Sequence, residues 1–218
     1  GVTASFTTHN VALPPQDPED TNDWFRVEAR YASGEIDYSS NGTGSMNDNP
    51  YMVFEGRMML GYDFNSEAGN FRFSPYAGLG YRYLKDYSGG QRTTTGHYGY
   101  DRESNYIYSP IGVEAQYALS GSSRLKAVLE YDYFWGGEQK SHLAQVPGYE
   151  YNLSNNQNAD DGSGYRMSLS YVYTRSGFSL EIQPFYRFWK IGESDVDAGM
   201  IEPENETAET GVAVKVGF

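Results

Sequence analysis

Residues 71–83 read Phe-Arg-Phe-Ser-Pro-Tyr-Ala-Gly-Leu-Gly-Tyr-Arg-Tyr, and the reading of this stretch decides the fold. Phe71, Phe73, Pro75, Ala77, Leu79, Tyr81 and Tyr83 fall on one face of an extended chain, and Arg72, Ser74, Tyr76, Gly78, Gly80 and Arg82 on the other. Side chains of a strand alternate between faces with a period of two, so the pattern is that of a strand between an oily and a polar environment. Two later stretches repeat it. Leu125, Ala127, Leu129, Tyr131, Tyr133 and Trp135 oppose Lys126, Val128, Glu130, Asp132 and Phe134, and Tyr165, Met167, Leu169, Tyr171 and Tyr173 oppose Arg166, Ser168 and Ser170.

Working outward, eight such stretches are expected, at residues 23–34, 51–63, 71–85, 105–118, 123–136, 164–174, 178–190 and 207–218. Long connections at about 35–50, 86–104, 137–163 and 191–206 alternate with short ones at 64–70, 119–122 and 175–177. Short turns on one side and long loops on the other, with aromatic residues at the strand ends, are the layout of a transmembrane barrel. The expected fold is therefore all-β: an eight-stranded antiparallel up-and-down barrel over 23–218, with long extracellular loops and short periplasmic turns. Residues 1–22, which include Pro14, Pro15 and Pro18 among acidic residues, are expected as an extended periplasmic lead.

An apolar face suits a soluble barrel turned inward or a membrane barrel turned outward, and the polar face separates the two. It carries Arg26, Glu28, Arg30, Glu55, Arg57, Arg72, Arg82, Glu114, Lys126, Glu130, Asp132, Arg166, Glu181, Arg187, Glu209 and Lys215. Nine are basic and seven acidic, in a chain of net charge -13. Enclosed charges must be paired, so near-balance on this face marks it as the lumen. Gly78, Gly80, Gly112 and Gly211 on the same face are expected to make room for long arginine side chains.

The last stretch, Glu209-Thr210-Gly211-Val212-Ala213-Val214-Lys215-Val216-Gly217-Phe218, is apolar at every second position and ends on phenylalanine. It resembles the assembly signal of outer-membrane barrels, carried here by Gly211, Val212, Val214, Val216 and Phe218. Residues 74–83 are similar to the third strand of small barrels related to the OmpA transmembrane domain and the Opa-like proteins. The resemblance implies an integral outer-membrane protein in contact with outer-membrane lipid, lipopolysaccharide and the barrel-assembly machinery.

Composition narrows the function. A net charge of -13 opposes binding to nucleic acid, whose affinity rests on Lys and Arg neutralising phosphates. With no Cys, thiol catalysis and zinc-thiolate sites are excluded. His9, His97 and His142 fall outside the strand pattern; Ser141 beside His142 and Asp101 near His97 form no catalytic motif, so no enzyme activity, cofactor or metal is expected. The acidic runs at 158–163 and 193–197 lack the spacing of a calcium loop. Tyr98, Tyr100, Tyr149, Tyr151, Asp160 and Asp161 are the candidates for contact with a protein or glycan partner, because tyrosine-rich tips suit recognition. Tyr106 and Tyr108 are expected in the aromatic girdle. The function expected is binding, adhesion or a subunit role in an envelope assembly; a narrow channel and a small lipid-modifying enzyme are the alternatives.

Overall fold

The computed structural model describes residues 1–9, 22–159 and 161–217. Among the described residues, eleven strands form one antiparallel sheet: β1 (Val2–His9), β2 (Asp23–Ser40), β3 (Gly44–Tyr62), β4 (Phe64–Asn65), β5 (Phe71–Asp86), β6 (Arg102–Ala118), β7 (Ser123–Ser141), β8 (Leu153–Gln157), β9 (Gly162–Arg175), β10 (Phe178–Ile191) and β11 (Asn205–Gly217). The order is β1-β2-β3-β5-β6-β7-β9-β10-β11, with β4 added to β5 and β8 to β7.

The sheet curls around an interior. Arg166 of β9 meets Glu55 of β3, four places away along the sheet, and Arg26 of β2 meets Glu114 of β6, three places away at 3.3 Å. Such contacts require the strands to face one another across a lumen. On the outside, Leu60, Leu79, Leu129, Leu169 and Val214 are bare, Leu129 at 59% of its full exposure. A belt of exposed leucine, valine and tyrosine around a polar interior is the inverse of a soluble barrel and matches a wall facing lipid.

The expectation for residues 1–22 requires correction. Val2–His9 is a strand, paired antiparallel with β2 so that Val2 lies opposite Tyr31 and His9 opposite Trp24. Val2, Ala4 and Phe6 continue the apolar face, and Thr3, Ser5 and Thr7 the polar one; Arg26 donates from Nε to Thr7 Oγ1 at 3.1 Å. The alternation was present in the sequence but stands beside a proline-rich stretch. Pro14, Pro15 and Pro18 lie outside the described residues. The main path therefore holds nine strands among the described residues, where eight were expected.

The first long loop is also a correction. The ladder between β2 and β3 runs on to Ser40 opposite Gly44, with a register shift between Ile36 and Tyr38. Asp37 Oδ1 accepts the Asp48 N–H at 3.1 Å, and Asp48 takes a left-handed φ of 57°. Most of this hairpin is exposed, and its two buried residues, Met46 and Asn49, stand three apart across the register shift, so no period-two alternation betrays it.

Three of the four expected inward glycines pair with rings rather than with arginines, while Gly78 lies opposite Met59 and packs against the Met58–Met59 backbone. A Cβ at Gly80 would lie 2.2 Å from the Tyr108 ring, and one at Gly112 would lie 2.5 Å from the Tyr76 ring. Each is directly opposite its aromatic partner across the ladder, as are Gly61 and Trp24, Gly137 and Tyr106, Gly164 and Trp189, and Gly211 and Phe185. The missing side chain lets a ring lie flat on the neighbouring strand, which fills the lumen and pins the register.

Candidate functional site

Two regions concentrate chemistry: the lumen and the end bearing the longer connections, called here the upper end.

In the lumen, each of the sixteen charged residues on the polar face has an ion-pair partner. Arg166 is the hub. It contacts Glu55, Glu130 at 3.0 Å and Asp132 at 2.7 Å. Arg57 bridges Glu28 and Glu130, and Arg82 stands 3.9 Å from Glu55. Tyr108 donates to Glu55 at 2.8 Å and Tyr76 to Glu130 at 2.7 Å. Nearer the lower end, Arg26 and Arg72 flank Glu114, while Lys126 and Lys215 share Glu181. Beside the edge of the sheet, Arg30 and Arg187 share Glu209. Asp63, absent from the expected set, completes the lower group by accepting from Trp24, Ser74 and Arg72.

Above the hub lies an apolar layer of Tyr106, Tyr108, Phe134, Trp189 and Ile191. Trp189 meets Tyr108 edge-on at 5.0 Å, and the Arg82 guanidinium lies over the Trp189 ring at 5.3 Å. Tyr106 and Tyr108 are thus interior residues and not part of the girdle. Their numbers share the parity of Glu114 on the same strand, and that parity turns them inward. A cavity of about 20 Å³ remains among Thr3, Glu28, Arg30, Glu55, Arg57, Arg166 and Arg187, room for about one water molecule.

At the upper end, four connections are tied together by hydrogen bonds. Residues 87–101 attach to the β2–β3 turn: Thr94 N–H donates to Ser45 O at 2.8 Å and the Thr95 hydroxyl to Thr43 O at 2.6 Å. Asp101 links the same segment to residues 142–161. Its carboxylate accepts Gly89 N–H at 2.8 Å and Gln145 Nε2 at 3.2 Å, and its own N–H donates to Gln145 Oε1 at 2.8 Å. Residues 142–161 contain a single 3-10 turn, Leu143–Gln145, and β8, so this third connection is only partly a loop. It binds residues 192–204 through Asp195 Oδ1, which accepts Asn156 N–H at 2.7 Å, and Asp197 Oδ2, which accepts Ser154 N–H at 2.9 Å. Arg102 reaches Glu202 at 3.7 Å and lies over the rings of Tyr38 and Tyr100.

Of the loop candidates, Tyr98, Tyr149 and Tyr151 are exposed, and Tyr149 and Tyr151 meet edge-on at 6.1 Å. Tyr98 lies under the Arg92 guanidinium at 3.8 Å. Tyr100 is half-buried, and burial pushes its hydroxyl above the ordinary tyrosine value. Asp161 Oδ2 accepts the Asn158 N–H at 3.3 Å, whereas Asp160 lies outside the described residues. Val196 and Ile201, which the sequence did not single out, add exposed apolar surface.

The histidines are dispersed. His97 Nδ1 meets Thr95 Oγ1 at 2.9 Å, and His142 Nε2 meets Glu103 Oε1 at 3.2 Å. Ser141 is buried while its neighbour His142 is half-exposed, so the two do not meet as nucleophile and base. Among the described residues no group of three His, Asp or Glu side chains is arranged to hold a metal. In the last strand Val212, Val214 and Val216 face outward and Gly211 lies against Phe185; Phe218 is outside the described residues.

A family model described as autotransporter beta-domain matches residues 19–183. It names a different family of outer-membrane barrels from the OmpA- and Opa-like group that residues 74–83 resemble. No curated protein matches the chain.

Proposed function

The chain belongs to the autotransporter beta-domain family, integral outer-membrane barrels of Gram-negative bacteria, and from that premise we propose that it is a non-enzymatic barrel acting through its upper rim. The rim faces the cell exterior and binds a protein or glycan partner. The observation that carries this reading is the contrast in filling. The lumen is occupied by ion pairs and aromatic rings, while the rim presents Tyr98, Tyr149, Tyr151, Val196 and Ile201 on hydrogen-bonded supports. Domains of this family usually pair with a passenger domain. A cavity of about 20 Å³ beside the hub would not admit an extended chain, which favours surface binding over passage through the lumen.

Charge gives the partner a sign. The stretches 35–48, 85–103, 138–161 and 190–206 hold sixteen of the 29 acidic residues and only five of the 16 basic ones. A surface this acidic attracts basic partners and speeds their arrival at low ionic strength.

The test is to display the intact protein, Tyr149→Ala/Tyr151→Ala and a version shortened within 146–152 on cells, and to measure capture of immobilised basic proteins and of a glycan array. Heat-modifiable migration on gels reports folding. The expected result is folded barrels with reduced capture in both variants. Undiminished capture by both would move the binding function away from this rim.

A further inference from the structure

The edge of β2 opposite β3 has two claimants. In a nine-strand antiparallel order, the first and last strands run in the same direction, so β1 and β11 are parallel to each other. Among the described residues no backbone ladder joins them, and each presents an unpaired edge at the depth of the apolar belt. Unpaired N–H and C=O groups in hydrocarbon are costly, and this is why membrane barrels close. β2 and β11, by contrast, run antiparallel and would pair directly if β1 were not between them.

A side-chain contact already sets the register of that alternative. Arg30 of β2 lies opposite Thr3 of β1, yet its guanidinium reaches Glu209 of β11. Placing Arg30 opposite Glu209 brings Glu28 opposite Gly211 and Arg26 opposite Ala213 inside, and Val27 opposite Val212 and Phe25 opposite Val214 outside. Every charged residue of the two strands from Arg26 to Arg30 and from Glu209 to Lys215 stays in the lumen and Phe25, Val27, Val212 and Val214 face lipid, although a slip of one residue would invert both faces. The inward residues of β1 facing Arg26, Glu28 and Arg30 are Thr7, Ser5 and Thr3, and Arg30 reaches past the small Thr3 to Glu209. Its outward residues Val2 and Phe6 are 72% and 67% exposed.

We propose that β1 is an exchangeable strand: it leaves the edge of β2, and β11 takes its place with Arg30 opposite Glu209, closing an eight-stranded barrel. The exchange preserves the Arg30–Glu209 ion pair and eliminates both bare edges. It releases residues 2–9 from the wall beside the lower end, where β2 begins at Asp23, away from the rim.

The chain has no cysteine, so paired cysteines report the exchange without background. Phe6 pairs with Val27 in the present ladder, and Val212 would pair with Val27 after exchange. Two strand spacings separate Val27 from Val212 while β1 intervenes, roughly 10 Å and beyond the reach of a disulfide. Three variants are oxidised in outer-membrane vesicles: Phe6→Cys/Val27→Cys, Val27→Cys/Val212→Cys and Phe6→Cys/Val212→Cys. Ala77→Cys/Tyr131→Cys, on strands that both flank Ile111 in a fixed ladder, serves as the two-strand control. Heat-modifiable migration confirms that each is folded. The proposal predicts products from the first two pairs, and a Val27–Val212 yield that increases when residues 2–9 are deleted. A Val27–Val212 yield no greater than the control would overturn it. So would a dominant Phe6–Val212 product, which marks closure by parallel pairing of β1 with β11.

Discussion

The lumen and the upper rim use the same carboxylates in opposite ways. Inside, Glu55, Glu130 and Asp132 converge on the one guanidinium of Arg166, and nearly every acid is answered by a base from another strand. At the rim, Asp101, Asp195 and Asp197 instead accept backbone N–H groups of neighbouring connections, and their charge is left largely uncompensated. Burial explains the difference. A carboxylate enclosed without a cation costs several kcal/mol, whereas one in water needs none and is free to order a loop. Charge inside the barrel therefore holds strands together, and charge at the rim shapes a surface and gives it a sign.

The largest expected effect lies inside. Arg166→Leu removes the cation shared by three carboxylates and should destabilise the barrel by about 3–5 kcal/mol, read from urea unfolding in lipid vesicles. A loss below 1 kcal/mol would erase the distinction between the regions. Next, Leu129→Arg should cost roughly 2–4 kcal/mol because the new charge enters hydrocarbon, and folding yield into vesicles is the check. Tolerance there would reverse the assignment of the two faces.

Gly80→Ala probes the packing between rings and glycines. A methyl group would collide with the Tyr108 ring, so a cost of about 1–3 kcal/mol is expected, with partial recovery in Gly80→Ala/Tyr108→Leu. The rim should give the smallest loss. Asp195→Ala removes the acceptor of the Asn156 N–H, an exchange worth about 0.5–1.5 kcal/mol, and should accelerate amide exchange in residues 154–157 without altering the barrel. If Asp195→Ala instead unfolds the barrel, rim and lumen are a single cooperative unit.

How much was legible in the sequence follows from the same division. Alternation such as Leu125 through Trp135 exposes a strand wherever one face meets lipid and the other a polar lumen, so the strands of the wall could be read from the pattern. Tyr106 and Tyr108 were misplaced because residue type suggested a girdle, although the parity of Glu114 already turned them inward. The hairpin at 35–50 was hidden because it is mostly exposed and its buried residues, Met46 and Asn49, are three apart rather than two. The pairing of Asp195 with Asn156 and of Asp101 with Gln145 was beyond reach, since it depends on where separate connections meet in space. β1 was legible in Val2, Ala4 and Phe6 and was obscured by the prolines that follow.

The central claim is that the lumen is filled and the rim carries the function. Planar-bilayer recording of the intact protein, beside a version shortened within 146–152, tests this most directly. The ion pairs and the layer of Tyr106, Tyr108, Phe134 and Trp189 lie beneath the rim, so both proteins should give no steady conductance. Stable open-channel current from either one would contradict the account and make the lumen a conducting path.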